Sequence, residues 1–251
     1  MMECALNGFY TQEQRERFLS AIPKRHSVRR FAGEPDPVSG SALAYAASRV
    51  CLPGVRIVLG DAPKADALFV SMPFVGGIKG TTRYAAVIVD EFAPESTLYA
   101  GVSGEALVLE AVSLGLGACW LGAFKRGGVD IPLRQNERVA AIIALGKPAE
   151  ESSGFRRKEL KKLCYGDPSQ WPEWALQAAE CVRRAPSAMN FQPWRLNFAG
   201  RTMKLLCRRY AGDLDLGIAL LHMSLGMGER AHHISLGQGA EVATLTAEEL
   251  V

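Results

Sequence analysis

Two short segments, RHSVRRF at residues 25–31 and APSAMNFQPW at residues 185–194, are the most informative parts of this 251-residue chain. The first places several cationic side chains around one serine, and a guanidinium offers fork-like donors that match phosphate oxygens. The second sets Ser187, Asn190 and Gln192 between two prolines that stiffen the loop. Together the two segments suit a ligand that carries a phosphate and a polar heterocycle.

The bulk composition is that of an ordinary globular protein, with 48% hydrophobic and 22% charged residues. The net charge of +3 is small and no block of basic residues occurs, so we expect no nucleic-acid partner. The N-terminal residues 1–18 contain no apolar stretch preceded by a basic region, and nowhere do eighteen apolar residues run uninterrupted, so we expect neither secretion nor a membrane span. No pair among the six cysteines has the spacing of a metal or redox site. We therefore expect a cytoplasmic protein without a metal, with reduced and mostly buried thiols.

Hydrophobic periodicity predicts alternating helices and strands. Thr11 and Gln14 have the spacing of a capping box, which predicts a helix that leads directly to Arg25. Further helices are predicted at residues 41–49 and 104–115, and strands at residues 55–60, 84–90 and 138–146. This mixture indicates an α+β fold with helices packed on a sheet.

Short segments of the first half of the chain recur in the second half in the same order. The pairs are ALAYAASRV (42–50) with ALQAAECV (175–182), VRIVLG (55–60) with WRLNFAG (194–200), and SLGLG (113–117) with SLGMG (224–228). Such echoes also arise by chance, but the conserved order favours a degenerate duplication with a junction near residues 162–168. The predicted halves are residues 1–162 and 163–251.

Three segments of the sequence resemble signatures of a known family. RHSVRRF resembles the R-R-S-V-R-x-F signature of flavin-dependent nitroreductases, and APSAMNFQPW is similar to their A-P-S-x-x-N-x-Q-P-W signature. GLGACWLGAF at residues 115–124 is similar to the G-L-G-x-x-W-x-G segment beside the flavin ring. The resemblance implies a nitroreductase-like α+β fold, with mixed sheets flanked by helices and two degenerate pseudo-symmetric halves.

The resemblance also implies bound FMN and the residues that contact it. On the phosphate and ribityl chain these would be Arg25, His26, Ser27 and Arg29, and backbone N–H groups at the flavin N5 edge would come from Leu121 and Gly122. His26 stands where the family usually has arginine, so its charge depends on pH.

The second signature would touch the isoalloxazine and ribityl groups. The residues implied are Pro186, Ser187, Asn190 and Gln192, and those of a late basic segment near the phosphate are Arg156, Arg157 and Lys158. The sequence leaves open which of these three basic residues meets the phosphate.

The spacing of the signatures departs from the family pattern. Ordinary members carry both signatures within a few dozen residues and are homodimers in which each subunit supplies one signature to a shared site. Here Pro186 lies about 160 positions beyond Arg25. The resemblance therefore implies a fused pseudo-dimer that binds one FMN between its halves, and a monomer is possible because the chain mimics a dimer.

The activity implied is that of an oxidoreductase. NAD(P)H would deliver hydride to flavin N5, and a small-molecule acceptor such as a nitroaromatic or quinone would take the electrons in a ping-pong cycle. No side chain is predicted to be catalytic, because backbone donors would orient N5. Two alternatives remain open: a flavin-binding sensor or carrier without turnover, and a degenerate relic that no longer holds FMN.

Overall fold

The computed structural model describes residues 2–71, 77–150, 156–208, 212–228, 230 and 232–248. The chain divides into two units, one formed by Pro23–Phe155 and the other by Met1–Ile22 together with Arg156–Val251. The N-terminal residues thus belong with the C-terminal part of the chain. The units divide at residue 155, whereas the predicted halves divide at residue 162.

Both units combine helices with strands, as the predicted α+β class requires. The helices are α1 Gln12–Ala21, α2 Pro37–Arg49, α3 Ala65–Leu68, α4 Ser96–Ser113, α5 Glu173–Arg184 and α6 Asp213–Gly226. The strands are β1 Met2–Glu3, β2 Phe31–Gly33, β3 Val55–Asp61, β4 Arg83–Asp90, β5 Gly117–Leu121, β6 Glu137–Pro148, β7 Trp194–Ala199, β8 Thr202–Cys207, β9 His232–Leu236 and β10 Glu241–Ala247.

The capping box predicted at the start of α1 is confirmed. The backbone N–H of Gln14 donates to the Thr11 hydroxyl at 3.2 Å, and the Thr11 N–H donates to the Gln14 side chain at 3.0 Å. α2 begins with Asp36, whose carboxylate accepts from the Ser39 N–H at 3.0 Å, followed by a proline in the first turn. α4 begins at Ser96, well before the predicted start at residue 104.

In the unit of residues 23–155, β6 is the central strand. It pairs with β2, β4 and β5, and β3 lies beyond β4, with every one of these pairings antiparallel. Parallel pairing occurs here only as isolated bridges of the described residues, such as Ser27 with Ala118, so the expected mixed pairing is limited to them. Residues 85–89 of β4 and 141–145 of β6 are completely buried. The centre of this sheet is therefore covered on both faces.

The other unit contains a second antiparallel sheet, with the strand order β1-β9-β10-β8-β7. Its elements follow the order α5-β7-β8-α6-β9-β10. The first unit has the same order in α2-β3-β4-α4-β5-β6, apart from the single-turn α3. The spatial order β3-β4-β6-β5 likewise matches β7-β8-β10-β9. The two units thus share one order of elements and one order of strands.

The helices α4 and α6 occupy equivalent places in these two orders, and both are buried around their circumference. Residues 98–109 of α4 and 215–226 of α6 are all buried. A helix that is apolar all round has to be covered on every side, which makes both helices core elements. α4 is followed by Gly115 at φ 76° and α6 by Gly228 at φ 70°, a left-handed conformation that commonly ends helices.

The six cysteines have free thiols, and those of Cys4, Cys119, Cys164 and Cys181 are buried, as predicted. Among the described residues, no three side chains of metal-binding type come together. Within the same residues, none of the helices combines the length and the apolar character needed to cross a bilayer.

An ion pair ties β3 to the start of β6. The Arg56 guanidinium donates to both carboxylate oxygens of Glu137, from Nε at 3.0 Å and from an Nη at 2.5 Å. The Arg134 N–H adds a third bond to Glu137 at 2.8 Å, and the Glu137 side chain is 8% exposed. The hydrogen bond from Arg56 is the largest cause that holds the pKa of Glu137 below its usual range.

We expect Glu137→Gln to lower the free energy of unfolding by about 1–3 kcal/mol at neutral pH, because a bidentate charge-assisted pair is lost. A lowered carboxyl pKa stabilises the folded state above the unfolded pKa, and this contribution is lost as the pH falls through the folded pKa. The difference in the free energy of unfolding between wild type and variant should therefore become smaller in acid. Urea unfolding across a pH series measures this difference.

Glu13→Gln is the matched control, because Glu13 pairs with Arg17 on α1 while its side chain is 84% exposed. This change should alter stability by less than about 0.5 kcal/mol. The prediction would be contradicted if both variants lost the same free energy of unfolding. It would also be contradicted if the loss caused by Glu137→Gln were unchanged in acid.

Candidate functional site

Residues 25–31 lie against the sheet of their own unit. Ser27 forms a parallel bridge with Ala118, and the Val28 N–H donates to the Ala118 carbonyl at 3.0 Å. Ala118 belongs to β5 and to the motif at residues 115–124. The first signature and this motif, far apart in sequence, are therefore neighbours in the fold.

Two glycines in the sheet make room for the apolar side chains of this segment. Gly117 and Gly146 are paired across β5 and β6. A Cβ on Gly117 would lie 2.8 Å from the Val28 side chain, and a Cβ on Gly146 would lie 2.8 Å from the Phe31 ring. Both distances are too short for carbon atoms, so only glycine permits this close approach. Val28 and Phe31 are both buried as a result.

Arg25 lies in the interior. Its Nε is 3.6 Å from the Glu105 carboxylate, and the two side chains are 2% and 0% exposed. The Trp120 indole N–H donates to the other Glu105 oxygen at 2.8 Å. Burial lowers the pKa of Arg25, while the charge of Glu105 and the Cys119 thiol raise it. Arg25 thus anchors the segment to α4, and its predicted contact with a phosphate stays a prediction.

Glu105 was not singled out from the sequence. It is an acidic residue within the otherwise apolar stretch at residues 104–109, and that contrast is the signal that could have identified it. A carboxylate buried in a helix requires a cationic or hydrogen-bonding partner, and here Arg25 and Trp120 meet that need.

Arg29 remains available for a ligand. It is half-buried, and its guanidinium has no hydrogen-bond or ion-pair partner among the described residues. Burial raises the pKa of the nearby Cys119 thiol, while Arg29, Arg25 and the Ser27 hydroxyl lower it. His26 is half-buried, and its Nδ1 lies 3.1 Å from a backbone carbonyl two residues earlier. Ser27 and Arg29 are therefore more accessible than Arg25, Val28 and Phe31 of the same signature.

The end of β5 presents accessible backbone. Leu121 is half-buried and packs against the core, whereas Gly122 is exposed. A Cβ placed on Gly122 would meet no atom of the described residues within 4 Å. The backbone at Gly122 can therefore be approached closely by a planar ligand, as the predicted role of this position requires.

The second signature folds into a loop with an unusual backbone. Pro186 and Gln192 are buried, Ser187 is half-buried and Asn190 is exposed. Three non-glycine residues of the loop have positive φ, with 49° at Met189, 56° at Asn190 and 44° at Gln192. Each such residue costs about 1–2 kcal/mol relative to ordinary backbone, although asparagine tolerates the conformation better. The loop therefore depends on hydrogen bonds to the residues around it.

Gln192 supplies several of these bonds. Its side-chain oxygen accepts from the Lys158 N–H at 2.8 Å, and its amide nitrogen donates to the Arg183 carbonyl at 2.9 Å. Its own backbone N–H donates to the Ser187 hydroxyl oxygen at 2.9 Å. Because both ends of the amide are bound within the protein, Gln192 positions the loop. Its predicted contact with a flavin stays a prediction.

The basic segment at residues 156–158 is joined to the same loop. Asn190 donates to the Arg156 carbonyl at 2.9 Å and accepts a hydrogen bond from the Arg157 guanidinium. The Lys158 ammonium donates to the backbone carbonyl of Phe191. The late basic segment and the second signature, which were identified separately in the sequence, form one structure within this unit.

Asp215, in the first turn of α6, holds the middle of the loop. The Ala188 N–H lies 3.1 Å from both carboxylate oxygens, and Asp215 is 9% exposed. Burial raises the pKa of Asp215, while the hydrogen bond from Ala188 lowers it. The loop is thus fixed to a core helix on one side and to the basic segment on the other.

A cluster of three cations borders the loop, and two of its members were missed in the sequence. Burial and then the charges of Arg208 and Arg195 lower the pKa of Lys158, and burial and then Arg208 lower the pKa of Arg195. The Arg208 N–H donates to the Pro193 carbonyl at 3.0 Å, because β7 and β8 pair at this point. Like charges held this close together favour an anionic ligand.

Little in the sequence indicates that Arg195 and Arg208 belong to this cluster. Arg195 directly follows the second signature, but Arg208 lies more than a strand away and is brought alongside only by the β7–β8 hairpin.

Across the molecule, the residues predicted for the cofactor divide between the two units. Arg25, His26, Ser27, Arg29, Leu121 and Gly122 lie in one, and Arg156, Arg157, Lys158, Pro186, Ser187, Asn190 and Gln192 lie in the other.

A protein-family model described as "Putative TM nitroreductase" matches residues 17–227 of the chain. No curated protein matches the sequence at a significant level.

Three solved structures are similar to the chain to different degrees. A putative nitroreductase from Thermotoga maritima MSB8 is 24% identical, with a TM-score of 0.65 over 91% of this chain and 93% of its own. A putative NADH dehydrogenase/NAD(P)H nitroreductase from Parabacteroides distasonis is 19% identical, covering 60% of this chain and 98% of its own, with a TM-score of 0.49. A putative nitroreductase in complex with FMN from Desulfovibrio desulfuricans is 21% identical, covering 58% of this chain and 94% of its own, with a TM-score of 0.46. The first of these likenesses extends over nearly the whole chain.

We expect Gln192→Ala to lower the free energy of unfolding by about 2 kcal/mol, because the Lys158 N–H and the Arg183 carbonyl lose their partner. The Lys158 amide should also exchange its hydrogen faster. Urea unfolding and amide hydrogen exchange measure the two effects.

Gln12→Ala is the matched control, since the Gln12 side chain is exposed and, in the part of the chain that the structure describes, its hydrogen bond is to Glu16 on the same helix. It should change stability by less than about 0.5 kcal/mol. Unchanged exchange at Lys158 in the Gln192 variant would show that the amide does not hold the basic segment.

Proposed function

The chain belongs to the family described as putative TM nitroreductase, and on that premise we propose that it is an FMN-dependent oxidoreductase. Its proposed reaction is the NAD(P)H-dependent reduction of nitroaromatic, quinone or related acceptors. The observation that carries this proposal is the group of cations, Lys158, Arg195 and Arg208, held beside the strained loop at residues 185–194. This arrangement suits the phosphate end of a flavin nucleotide.

The donor set fits a phosphate monoester. Lys158 and Arg195 are half-buried, and mutual repulsion with Arg208 disfavours their charged forms. A phosphate carries between one and two negative charges at neutral pH and would offset this repulsion. Arg29 in the other unit has a guanidinium without a partner among the described residues and is the second candidate for an anionic group.

The remaining predicted residues fit the flavin ring and ribityl chain in different ways. The Ser187 oxygen accepts the Gln192 N–H, which leaves the hydroxyl proton of Ser187 free to donate to a ligand. Gly122 offers backbone beside open space. Gln192 and Arg25, which are bound inside the protein, would position these groups.

Bound FMN would supply the redox chemistry, since its isoalloxazine takes hydride from a nicotinamide and passes electrons to an acceptor. The residues of this chain would bind and orient. The cations would hold the negative charge of the phosphate, the Ser187 hydroxyl would donate a hydrogen bond, and backbone N–H groups at Leu121 and Gly122 would orient the ring. No side chain is assigned as catalytic.

We further propose that the chain is a fused pseudo-dimer that binds one FMN, with ligands from both signatures. The repeated order of elements and strands in the two units supports this proposal. The repeat runs through residues 37–148 and 173–247, and the junction proposed near residues 162–168 lies between these ranges. A single chain would then carry what two subunits supply in ordinary members, so the protein could act as a monomer.

The purified protein should show the visible absorbance of bound FMN, or acquire it on reconstitution. Arg208→Met should weaken FMN binding by about tenfold or more, since a charge-assisted contact is lost. The same change should leave the FMN-free protein as stable or slightly more stable, because it relieves the repulsion with Lys158 and Arg195. Fluorescence titration with FMN and thermal unfolding measure these two effects.

Arg49→Met, at the exposed end of α2, is the control and should alter neither quantity. A protein that stays colourless after reconstitution would identify a relic without a cofactor. A flavin-loaded protein that fails to oxidise NADH or NADPH with an added quinone or nitroaromatic would identify a sensor or carrier.

The FMN content should be about one per chain. Flavin absorbance of the denatured protein, divided by the protein concentration, gives this ratio, and light scattering gives the mass of the particle. A ratio near two per chain, or near one per two chains, would overturn the fused pseudo-dimer while leaving the flavin assignment intact.

A further inference from the structure

A cavity of about 250 Å³ lies within the unit formed by residues 1–22 and 156–251. Its wall combines residues 6–12 and Arg15 with Ser224, Arg230 and His232. None of the described residues that line it belongs to the residues predicted for the cofactor. The volume equals that of about eight water molecules at roughly 30 Å³ each, which suits a small ligand.

Arg15 occupies a position where an apolar side chain is expected. On α1 it lies three residues before Phe18 and seven before Ile22, and all three side chains face the core. Arg15 is only 7% exposed, and its Nε has no hydrogen-bond partner among the described residues. It also forms no ion pair with any of those residues.

An anion in the cavity would provide this guanidinium with a partner. Burying an unpaired charge is strongly unfavourable, and a cation removed from water is normally paired with a carboxylate or phosphate. Glu248 also lines the cavity but is exposed to solvent. No carboxylate among the described residues forms an ion pair with the buried guanidinium of Arg15.

Tyr10, Ser224 and His232 line the same cavity and form a chain of hydrogen bonds. The Tyr10 hydroxyl lies 2.6 Å from the Ser224 oxygen, which lies 2.9 Å from His232 Nε2. His232 Nδ1 lies 2.9 Å from the Arg230 carbonyl, which can only accept, so Nδ1 carries the hydrogen and Nε2 accepts. Burial raises the pKa of Tyr10 to about 12, while the Ser224 hydrogen bond and Arg15 lower it. Tyr10 and Ser224 thus present hydroxyl oxygens to a ligand.

We propose that this cavity binds a small organic anion whose carboxylate or phosphate group pairs with Arg15. The hydroxyl oxygens of Tyr10 and Ser224 would receive a hydrogen-bond donor of the ligand, such as a hydroxyl. Phe9 and Ile234, which also line the cavity, would contact its carbon atoms. This site is separate from the proposed flavin contacts, so binding does not require FMN.

Titration with sodium glycolate, a 2-hydroxy carboxylate, and with sodium phosphate tests the proposal, with sodium chloride at equal ionic strength as the reference. The midpoint of thermal unfolding should rise saturably with glycolate or phosphate but not with chloride. A response to glycolate alone assigns a carboxylate ligand, and a response to phosphate alone assigns a phosphate ligand. No response beyond that of chloride would overturn the proposal.

Arg15→Met should abolish the saturable response, and Arg15→Lys should weaken binding by about tenfold or more, because a lysine cannot make the paired contacts of a guanidinium. Arg17→Met, on the same helix with its side chain 37% exposed, should bind as the wild type does. An Arg15→Met protein that binds with wild-type affinity would refute the site.

A measurement on the wild-type protein covers the case in which Arg15→Met does not fold. The arginine Nε–H signals are followed by two-dimensional NMR during the same titrations, and the signal of Arg15 is assigned from Arg15→Lys. This signal should shift with the anion and saturate at the concentration seen by thermal unfolding. An Arg15 signal that does not move while the unfolding midpoint rises would place the anion elsewhere.

Discussion

The burial of β4 and β6 on both faces is the constraint on which the unit of residues 23–155 depends. α4 packs on one face, and the other face needs apolar cover from other segments of the unit. Val28 and Phe31 provide part of that cover, seated over Gly117 and Gly146. In this segment Ser27 and Arg29 alternate with Val28 and are left less buried. The packing of the sheet thus determines which polar groups of the first signature can reach a ligand.

The loop of the second signature is held by hydrogen bonds. Its backbone at Met189, Asn190 and Gln192 is unfavourable by itself and is stabilised by bonds to the basic segment and to Asp215. Backbone strain that the surroundings support is common at ligand-binding sites. The same bonds bring cations to the loop, so the support of the loop and its proposed affinity for phosphate have one structural origin.

Much of the fold could be predicted from local patterns. The apolar runs of β4 and β6 and the capping box of α1 are confirmed because burial and hydrogen bonding there follow from neighbouring residues. β5 was recognised only as a motif, and β8, β9 and β10 were not predicted. These strands depend on their partners for definition, since strand preference reflects packing against neighbours more than intrinsic tendency.

The sequence by itself determined the family, through three motifs whose residue types are chemically specific. Only the tertiary structure decided which of those residues are free to meet a ligand. It paired Arg25 with Glu105, bound both ends of the Gln192 amide, and brought Arg208 to the loop. It also left Arg15 buried without a partner among the described residues. The physical reason is that the partner of a buried polar group comes from residues distant in sequence, which local pattern does not specify.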